Sequence, residues 1–254
     1  MYLSSMNRYQ TSDRMNHLYA QMASAKKIQR ASDDPAGLAI AKKMESQSTT
    51  LQTDNKNMTD SSSLLNVVDG TTDSVTKGLQ RIKELAIQGS NGTYTASDRA
   101  LLQTEIDQIK DQINKTSEST QYNGISILNG NSLQMSGVAN EQSYNISTEA
   151  LGISDFDITQ SFDIKKIDKA LEKVNAMRGD VGATTNRLDH AVQSNEVTYS
   201  NLQSAQSRIE DIDMEHAVMQ LQQQRLLNLS TLSLQKKQEQ EVTKNGQVYL
   251  NMLA

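Results

Sequence analysis

The chain has 254 residues, of which 36% are hydrophobic and 4% aromatic, with no Trp, no Cys and a formal net charge of −5. So little apolar surface argues against a thick globular core and favours narrow seams between helices. The acidic balance argues against a nucleic-acid partner, which would need clustered Lys and Arg. The lack of any apolar run of about 18 residues argues against membrane insertion.

The first predicted element is an amphipathic helix within residues 1–32. Its apolar positions recur three or four residues apart and are rich in Met, a side chain that adapts to irregular contacts. Leu3, Met6, Leu18 and Met22 belong to this face. One helix cannot bury such a face alone, so the pattern predicts a partner elsewhere in the chain.

A second, much longer helix is predicted to begin at Asp33-Asp34-Pro35. Acidic residues favour the positive end of a helix, and proline suits its first position. No further proline interrupts the pattern, which continues to residue 88 with key positions seven residues apart: Met44, Leu51, Met58, Leu65, Thr72, Leu79 and Ala86. A strict seven-residue repeat predicts left-handed coiled packing against another helix.

The stretch after this helix predicts a reversal of the chain. Residues 89–93 contain two glycines and an Asn, which favour a turn and end helices. Thr95, followed three residues later by Asp98, predicts the N-cap of a third helix. Its apolar stripe is Leu102, Ile106, Ile109 and Ile113.

The middle of the chain is rich in turn signals, including Asn-Gly pairs at 123–124 and 129–130. Alternating apolar and polar residues predict a β-hairpin and linker within residues 131–160. From residue 161 a second seven-residue repeat follows: Ile167, Val174, Val181, Leu188, Asn195, Leu202 and Ile209. Residues 33–130 and 161–213 are therefore expected to form an antiparallel bundle.

The C-terminal segment, residues 214–254, carries a broad Leu-rich face, with a break expected at Gly246. It is expected to meet residues 1–32 in a mostly apolar terminal coil. Leu226, Leu229 and Leu232 are expected to point outward and contact other copies. The predicted fold is mainly α: a long antiparallel coiled-coil-like helical bundle with a small β-hairpin region, plus paired terminal helices.

The titratable residues give no support for an enzyme. His17, His190 and His216 are isolated, and no zinc-binding spacing is present. Acidic residues two apart on a helix point away from each other, so residues 211–215 do not predict a shared ion. We therefore expect no catalytic residue, no metal and no cofactor.

Several motifs resemble those of the bacterial flagellins, in a short form that lacks the variable outer domains. They lie in order over nearly the whole chain, at residues 33–41, 79–88, 122–124, 186–188 and 207–213. They correspond to the family's DDxAGLAI, LQRxRELA, FNG, NRL and SRIxDxD elements. One departure is Ala25, which stands where the family commonly has Gly.

This resemblance implies a structural subunit that polymerises with itself into an extracellular flagellar filament for motility. It further implies secretion by flagellar type III export, an export chaperone at the C-terminal segment, and contacts with filament cap and junction proteins. Two alternatives remain open: a hook–filament junction protein, and another kind of helical binding module.

The resemblance also implies recognition by Toll-like receptor 5. The contacts carried over are Gln80, Arg81, Leu85, Gln88 and Glu105. Spacing adds support, because Arg81, Glu84, Leu85 and Gln88 are predicted to share an accessible side of their helix. The plainer interpretation is that these are solvated helix residues or contacts between filament subunits.

Overall fold

A computed structural model describes residues 2–138 and 141–253, with side chains described for residues 10–138 and 141–245. The chain divides into two compact units. The terminal unit comprises Met1–Ser48 and Ser200–Ala254, and the central unit comprises Thr49–Tyr199. Among the described residues, no helix combines the length and hydropathy needed to cross a membrane.

The fold is mainly helical, which confirms the predicted class. The helices are α1 Tyr2–Ser24, α2 Pro35–Gly89, α3 Ala96–Ser119, α4 Thr148–Leu151, α5 Lys165–Glu210 and α6 Met214–Leu253. The strands are β1 Gln121–Tyr122, β2 Ile125–Ser126, β3 Asn129–Leu133 and β4 Gln142–Asn145. They form two antiparallel pairs, β1 with β2 and β3 with β4.

Side chains fix the starts of α2 and α3 where the sequence predicts them. The Gly37 backbone N–H donates to Asp34 Oδ1 at 2.9 Å, so Asp34 caps α2. At α3, Thr95 and Asp98 form a reciprocal capping box, in which each side chain accepts from the other residue's backbone N–H. Both caps satisfy helix N–H groups that would otherwise lack partners.

The core of the central unit is a seam between α2 and α5. Both seven-residue repeats are confirmed within this unit by buried positions: Met58, Leu65, Thr72, Leu79 and Ala86 on α2, with Ile167, Val174, Val181 and Leu188 on α5. Ion pairs from Arg178 to Asp69 and from Lys83 to Asp168 show that the two helices run antiparallel. The buried Thr72 hydroxyl donates to the Val68 carbonyl at 2.9 Å, so this polar group keeps a partner.

The third helix completes this bundle by close approach to α2. An added Cβ at Gly78 would lie 3.3 Å from Ile109 Cγ2, so only a glycine leaves the present spacing undisturbed. Ile106 and Ile113 are buried on the same side of α3. This tight contact offsets the weak helix propensity of a glycine inside α2.

The predicted linker contains the one-turn helix α4. Two expectations about element boundaries are wrong. The fifth helix begins at Lys165 rather than residue 161, because Asp163 Oδ1 accepts from the Lys165 backbone N–H at 2.9 Å and marks the entry turn. The last helix continues through Gly246, since an interior glycine costs only about 1 kcal/mol and does not by itself end a helix.

Candidate functional site

The predicted receptor and protofilament contacts lie on adjoining parts of α2 and α3. Gln80, Arg81 and Gln88 are exposed on α2, and Glu105 is partly exposed on α3. Arg81 Nε donates to Glu105 Oε1 at 2.8 Å, and Arg81 Nη1 donates to Glu84 Oε2 at 3.2 Å. We call Gln80, Arg81, Glu84, Gln88 and Glu105, together with Leu101, the α2–α3 surface.

Electrostatics hold the Arg81 side chain in one place on this surface. The hydrogen bonds with Glu105 and then with Glu84 raise the pKa of the Arg81 guanidinium above its ordinary value. The two carboxylates lie on different helices, so they limit the rotamers that this long side chain can adopt. The result is a charged, planar group that already hydrogen-bonds to carboxylates of two helices on this surface.

The expected surface position of Leu85 is wrong, because its side chain is fully buried. Position 85 follows Ile82 by three residues, so it extends the buried stripe of α2 toward the side covered by α3. Spacing from Arg81 alone predicts an accessible position, but the covered face of α2 is wide enough to include residue 85. A side chain in this core cannot contact a partner while the unit is folded.

Leu101 is an exposed leucine that was not among the predicted contacts. Its exposed fraction is 70%, and it precedes Glu105 by four residues, so both share one face of α3. The sequence does indicate an exposed leucine here. Leu101 and Leu102 are consecutive, and two consecutive residues on a helix cannot both face the core. Leu102 is the one that packs against the core, and Leu101 supplies the apolar part of the α2–α3 surface.

The terminal unit pairs α1 with α6. Leu18 and Met22, which were predicted to belong to the terminal coil, are half-buried. Arg225 Nη2 donates to the Tyr19 hydroxyl at 2.5 Å, and the Arg225 guanidinium lies 5.8 Å from the Tyr19 ring centroid. The side chains of Leu3 and Met6 lie outside the described residues.

The side of α6 that faces α1 is less apolar than predicted. After the buried Ala217 and Leu221, the partly buried positions are polar: Gln224, Asn228, Thr231 and Gln235. The apolar residues lie instead on the solvent-facing sides of the helix: Met219, Leu226, Leu227, Leu229, Leu232 and Leu234. The expectation of a mostly apolar coil is therefore wrong for the described residues, although Leu226, Leu229 and Leu232 do point outward.

A polar clamp joins the end of α1 to the end of α5 inside the terminal unit. Glu210 is only 4% exposed, and its carboxylate pairs with Lys26 Nζ at 2.6 Å. Burial raises the pKa of Glu210, but hydrogen bonds from Lys26 and Gln206, with charge from Lys26 and Lys42, lower it to below its ordinary value overall. The Ile212 N–H also donates to the Ala25 carbonyl at 3.0 Å.

Within this clamp, Ala25 adopts a left-handed conformation with φ of 56°. We expect Ala25→Gly to stabilise the terminal unit by about 1 kcal/mol, because glycine lacks the Cβ that is strained at positive φ. The matched control is Ala23→Gly, which lies inside α1 and should lose about 1 kcal/mol of helix stability. Thermal unfolding followed by circular dichroism measures both variants. A loss of stability in both would contradict the strain at Ala25.

No group of three or more His, Cys, Asp or Glu in the described part of the chain could hold a metal ion. The imidazole ring of His17 hydrogen-bonds to Asp33 at 3.1 Å, and the ring of His216 hydrogen-bonds to Gln220 at 2.9 Å.

Two family models match the chain. The bacterial flagellin N-terminal helical region matches residues 2–133, and the bacterial flagellin C-terminal helical region matches residues 164–244. A flagellin of Halalkalibacterium halodurans is 33% identical over 84% of this chain and 84% of its own length. Flagellin FlaB2 of Treponema pallidum is 31% identical over 76% of this chain and 78% of its own length.

Among solved structures, the chain is similar to a putative flagellar hook-associated protein from Vibrio parahaemolyticus. That similarity has a TM-score of 0.58 and 15% sequence identity, and it covers 70% of this chain and 100% of the other. At this identity, the similarity shows a shared fold.

Proposed function

The chain belongs to the bacterial flagellin family, and we propose that it assembles through the exposed faces of α6 into a flagellar filament. Its family makes it a structural filament subunit rather than an enzyme. Polymerisation with further copies follows from the same membership. The part played by particular residues is our proposal.

The observation that carries this proposal is the distribution of apolar residues around α6. One side of the helix faces α1, yet Leu226, Leu227, Leu229 and Leu234 are exposed on the other sides. A helix that is apolar over most of its circumference is stable in water only when other elements surround it. The single chain supplies one neighbouring helix, so further copies would have to supply the rest.

The same exposed leucines favour a chaperone before assembly. A monomer with this face uncovered is prone to aggregate, so a flagellin-specific export chaperone that covers residues 214–254 would protect it. We propose type III export to the outside of the cell, and assembly at the filament tip against cap and junction proteins. These steps rest on the resemblance to the family, with the exposed α6 face as supporting observation.

Assembly of purified protein tests the filament proposal. Monomer should remain dispersed at low concentration and form filaments visible by electron microscopy after ammonium sulfate or short filament seeds are added. Continued elongation of seeds distinguishes a filament subunit from a junction protein, which should add once and stop. A helical binding module would neither elongate nor attach, and that result would refute the filament proposal.

A second proposed function is recognition of the monomer by Toll-like receptor 5 through the α2–α3 surface. The supporting observation is that Arg81 hydrogen-bonds to Glu84 and Glu105, while Leu101 is exposed on the same helix as Glu105, four residues before it. Arginine with a neighbouring apolar side chain is typical of residues that dominate protein interfaces. Gln80 and Gln88 would contribute hydrogen bonds at the edge of the contact.

We expect Arg81→Ala to weaken receptor signalling by monomer at least tenfold, because a charge-assisted hydrogen bond contributes about 1.5–3 kcal/mol. The fold should persist, since the guanidinium lies at the surface. Dose–response curves in receptor-expressing cells give the result, and circular dichroism checks the fold. The matched control is Lys56→Ala, which removes another exposed cation from α2. Equal receptor responses to wild type and to Arg81→Ala would show that Arg81 does not contact the receptor.

A further inference from the structure

The loop between α2 and α3 carries an exposed Asn91-Gly92-Thr93 sequence that belongs to none of the surfaces described above. An asparagine followed by glycine can react with its own backbone, because glycine places no Cβ beside the nitrogen that attacks the side chain. The sequence contains four Asn-Gly pairs, at residues 91–92, 123–124, 129–130 and 245–246. Their structural settings differ, and the difference singles out the first pair.

The Asn91 side chain is folded back over the peptide bond that follows it. The Thr93 backbone N–H donates to Asn91 Oδ1 at 3.2 Å. This hydrogen bond closes a small ring of atoms that contains both Asn91 Cγ and the Gly92 nitrogen, so it keeps the two reacting atoms near each other. The same N–H also stabilises the negative charge that develops on Oδ1 when Cγ is attacked.

The Gly92 nitrogen is accessible for this attack. None of the described residues accepts a hydrogen bond from the Gly92 N–H. An added Cβ at Gly92 would meet no atom beyond its chain neighbours within 4 Å, so open space surrounds this residue. A base in solution can therefore remove the amide proton without breaking a hydrogen bond of the fold.

Secondary structure holds the other three pairs. Asn129 Oδ1 also accepts from the N–H two residues later, at 3.1 Å, but Asn129 lies in β3 and pairs with Asn145. An added Cβ at Gly130 would lie 3.0 Å from Asn145 Nδ2, so this peptide is packed against β4. Residues 123–124 form the tight turn between β1 and β2, and residues 245–246 lie inside α6. Ring closure at these pairs requires local opening of the fold first.

We propose that Asn91 is a site of spontaneous deamidation, which converts it to aspartate and isoaspartate without an enzyme. The Gly92 nitrogen gives its proton to solvent and forms a bond to Asn91 Cγ. The bond from Cγ to Nδ2 breaks, and Nδ2 leaves as ammonia after it takes a proton from solvent. The product is a cyclic imide between residues 91 and 92. This reaction needs neither assembly nor a receptor, so it stands apart from the functions proposed above.

Water then opens the imide in one of two directions. Addition at Cγ breaks the bond from Cγ to the Gly92 nitrogen, which restores the ordinary backbone and leaves aspartate. Addition at the Asn91 backbone carbonyl carbon breaks the bond from that carbon to nitrogen, so the chain then runs through Cγ as isoaspartate. In both cases water supplies the hydroxyl of the new carboxyl group and the proton of the peptide nitrogen.

Both products change the turn that follows α2. Each adds a negative charge near the C-terminus of this helix, where the helix dipole is already negative. Isoaspartate also inserts a further carbon atom into the backbone of residues 91–94, where the Tyr94 N–H donates to the Asn91 carbonyl at 3.2 Å. The reaction thereby alters the reversal that places α3 beside α2.

The test compares the same chain folded and in urea. Purified protein is incubated in mildly alkaline buffer, and peptide mass spectrometry with enzymatic methylation of isoaspartate follows each Asn-Gly pair. Folded Asn91 should convert at least as fast as in urea, because its turn need not open. Asn129 should convert at least about tenfold more slowly when folded, since leaving the strand costs one or more hydrogen bonds. Equal protection of Asn91 and Asn129 by folding would overturn the proposal.

Gly92→Ala is the matched variant. Gly92 is not at positive φ and has room for a Cβ, so the fold should persist by circular dichroism. The new Cβ hinders the adjacent nitrogen, so the mass gain at Asn91 should be lost while the other three pairs convert in urea as in wild type. If Asn91 in Gly92→Ala gains mass at the wild-type rate, the backbone nitrogen is not the attacking group and the proposed reaction is wrong.

Discussion

Replacing Leu226 and Leu229 together by lysine is expected to abolish filament formation at concentrations where wild type assembles fully. The two side chains are 68% and 63% exposed in the single chain, so the monomer loses little apolar burial. Burying each leucine in the polymer contributes about 1.5–3 kcal/mol, so losing both raises the critical concentration at least 100-fold. Burying two lysines would increase the loss further.

The monomer should keep its helical content, because leucine and lysine have similar helix propensities. It should also become more soluble, since the exposed apolar face is interrupted by charge. Sedimentation and electron microscopy report assembly, and circular dichroism reports helix content. The matched control is the double Leu→Met variant at the same positions, which keeps apolar volume and should assemble nearly as well as wild type.

A lysine variant that still assembles at the wild-type concentration would show that these leucines remain at the surface of the filament. The proposal that α6 is surrounded by other copies would then be wrong. A variant with reduced helicity would instead show that α6 needs these side chains to fold. Comparing the lysine and methionine variants separates the two results, because only the lysine variant changes polarity.

The sequence was sufficient to predict the central seam and its caps. Leu65 and Leu79 belong to the seven-residue repeat of α2, and Leu188 belongs to the repeat of α5. An interval of seven keeps each set on one side of its helix. Thr95 and Asp98 predict a helix start from local chemistry alone. The cap depends on residues close in sequence, and the repeat depends on a period that holds over a long segment. Neither prediction therefore needed knowledge of tertiary contacts.

The α6 contact stripe could not be predicted in the same way. Because leucines lie on most sides of this helix, periodicity does not identify the side that meets α1, and the structure places Gln224 and Asn228 there. The burial of Leu85 depends on the width of the covered face of α2, which the period of the sequence does not give.

Replacing Leu85 by alanine is expected to destabilise the central unit by about 3 kcal/mol, within the range of 2–5 kcal/mol for a fully buried leucine. The leucine belongs to the same buried cluster as Ile82 and Ile106, so the deletion leaves a cavity in the core. Denaturant unfolding followed by circular dichroism measures the change. Leu101→Ala is the matched control, because the same deletion at an exposed site should change stability by less than about 0.5 kcal/mol.

The two substitutions should affect receptor signalling in the opposite order to their effects on stability. Below its unfolding transition, Leu85→Ala should signal in proportion to its folded fraction, because the side chain is covered by the core. Leu101→Ala should lose signalling while it remains folded, since the leucine forms the exposed apolar part of the α2–α3 surface. Suppose instead that Leu85→Ala keeps full stability and loses signalling. Residue 85 would then be at the surface, and the packing of α3 on α2 described above would be wrong.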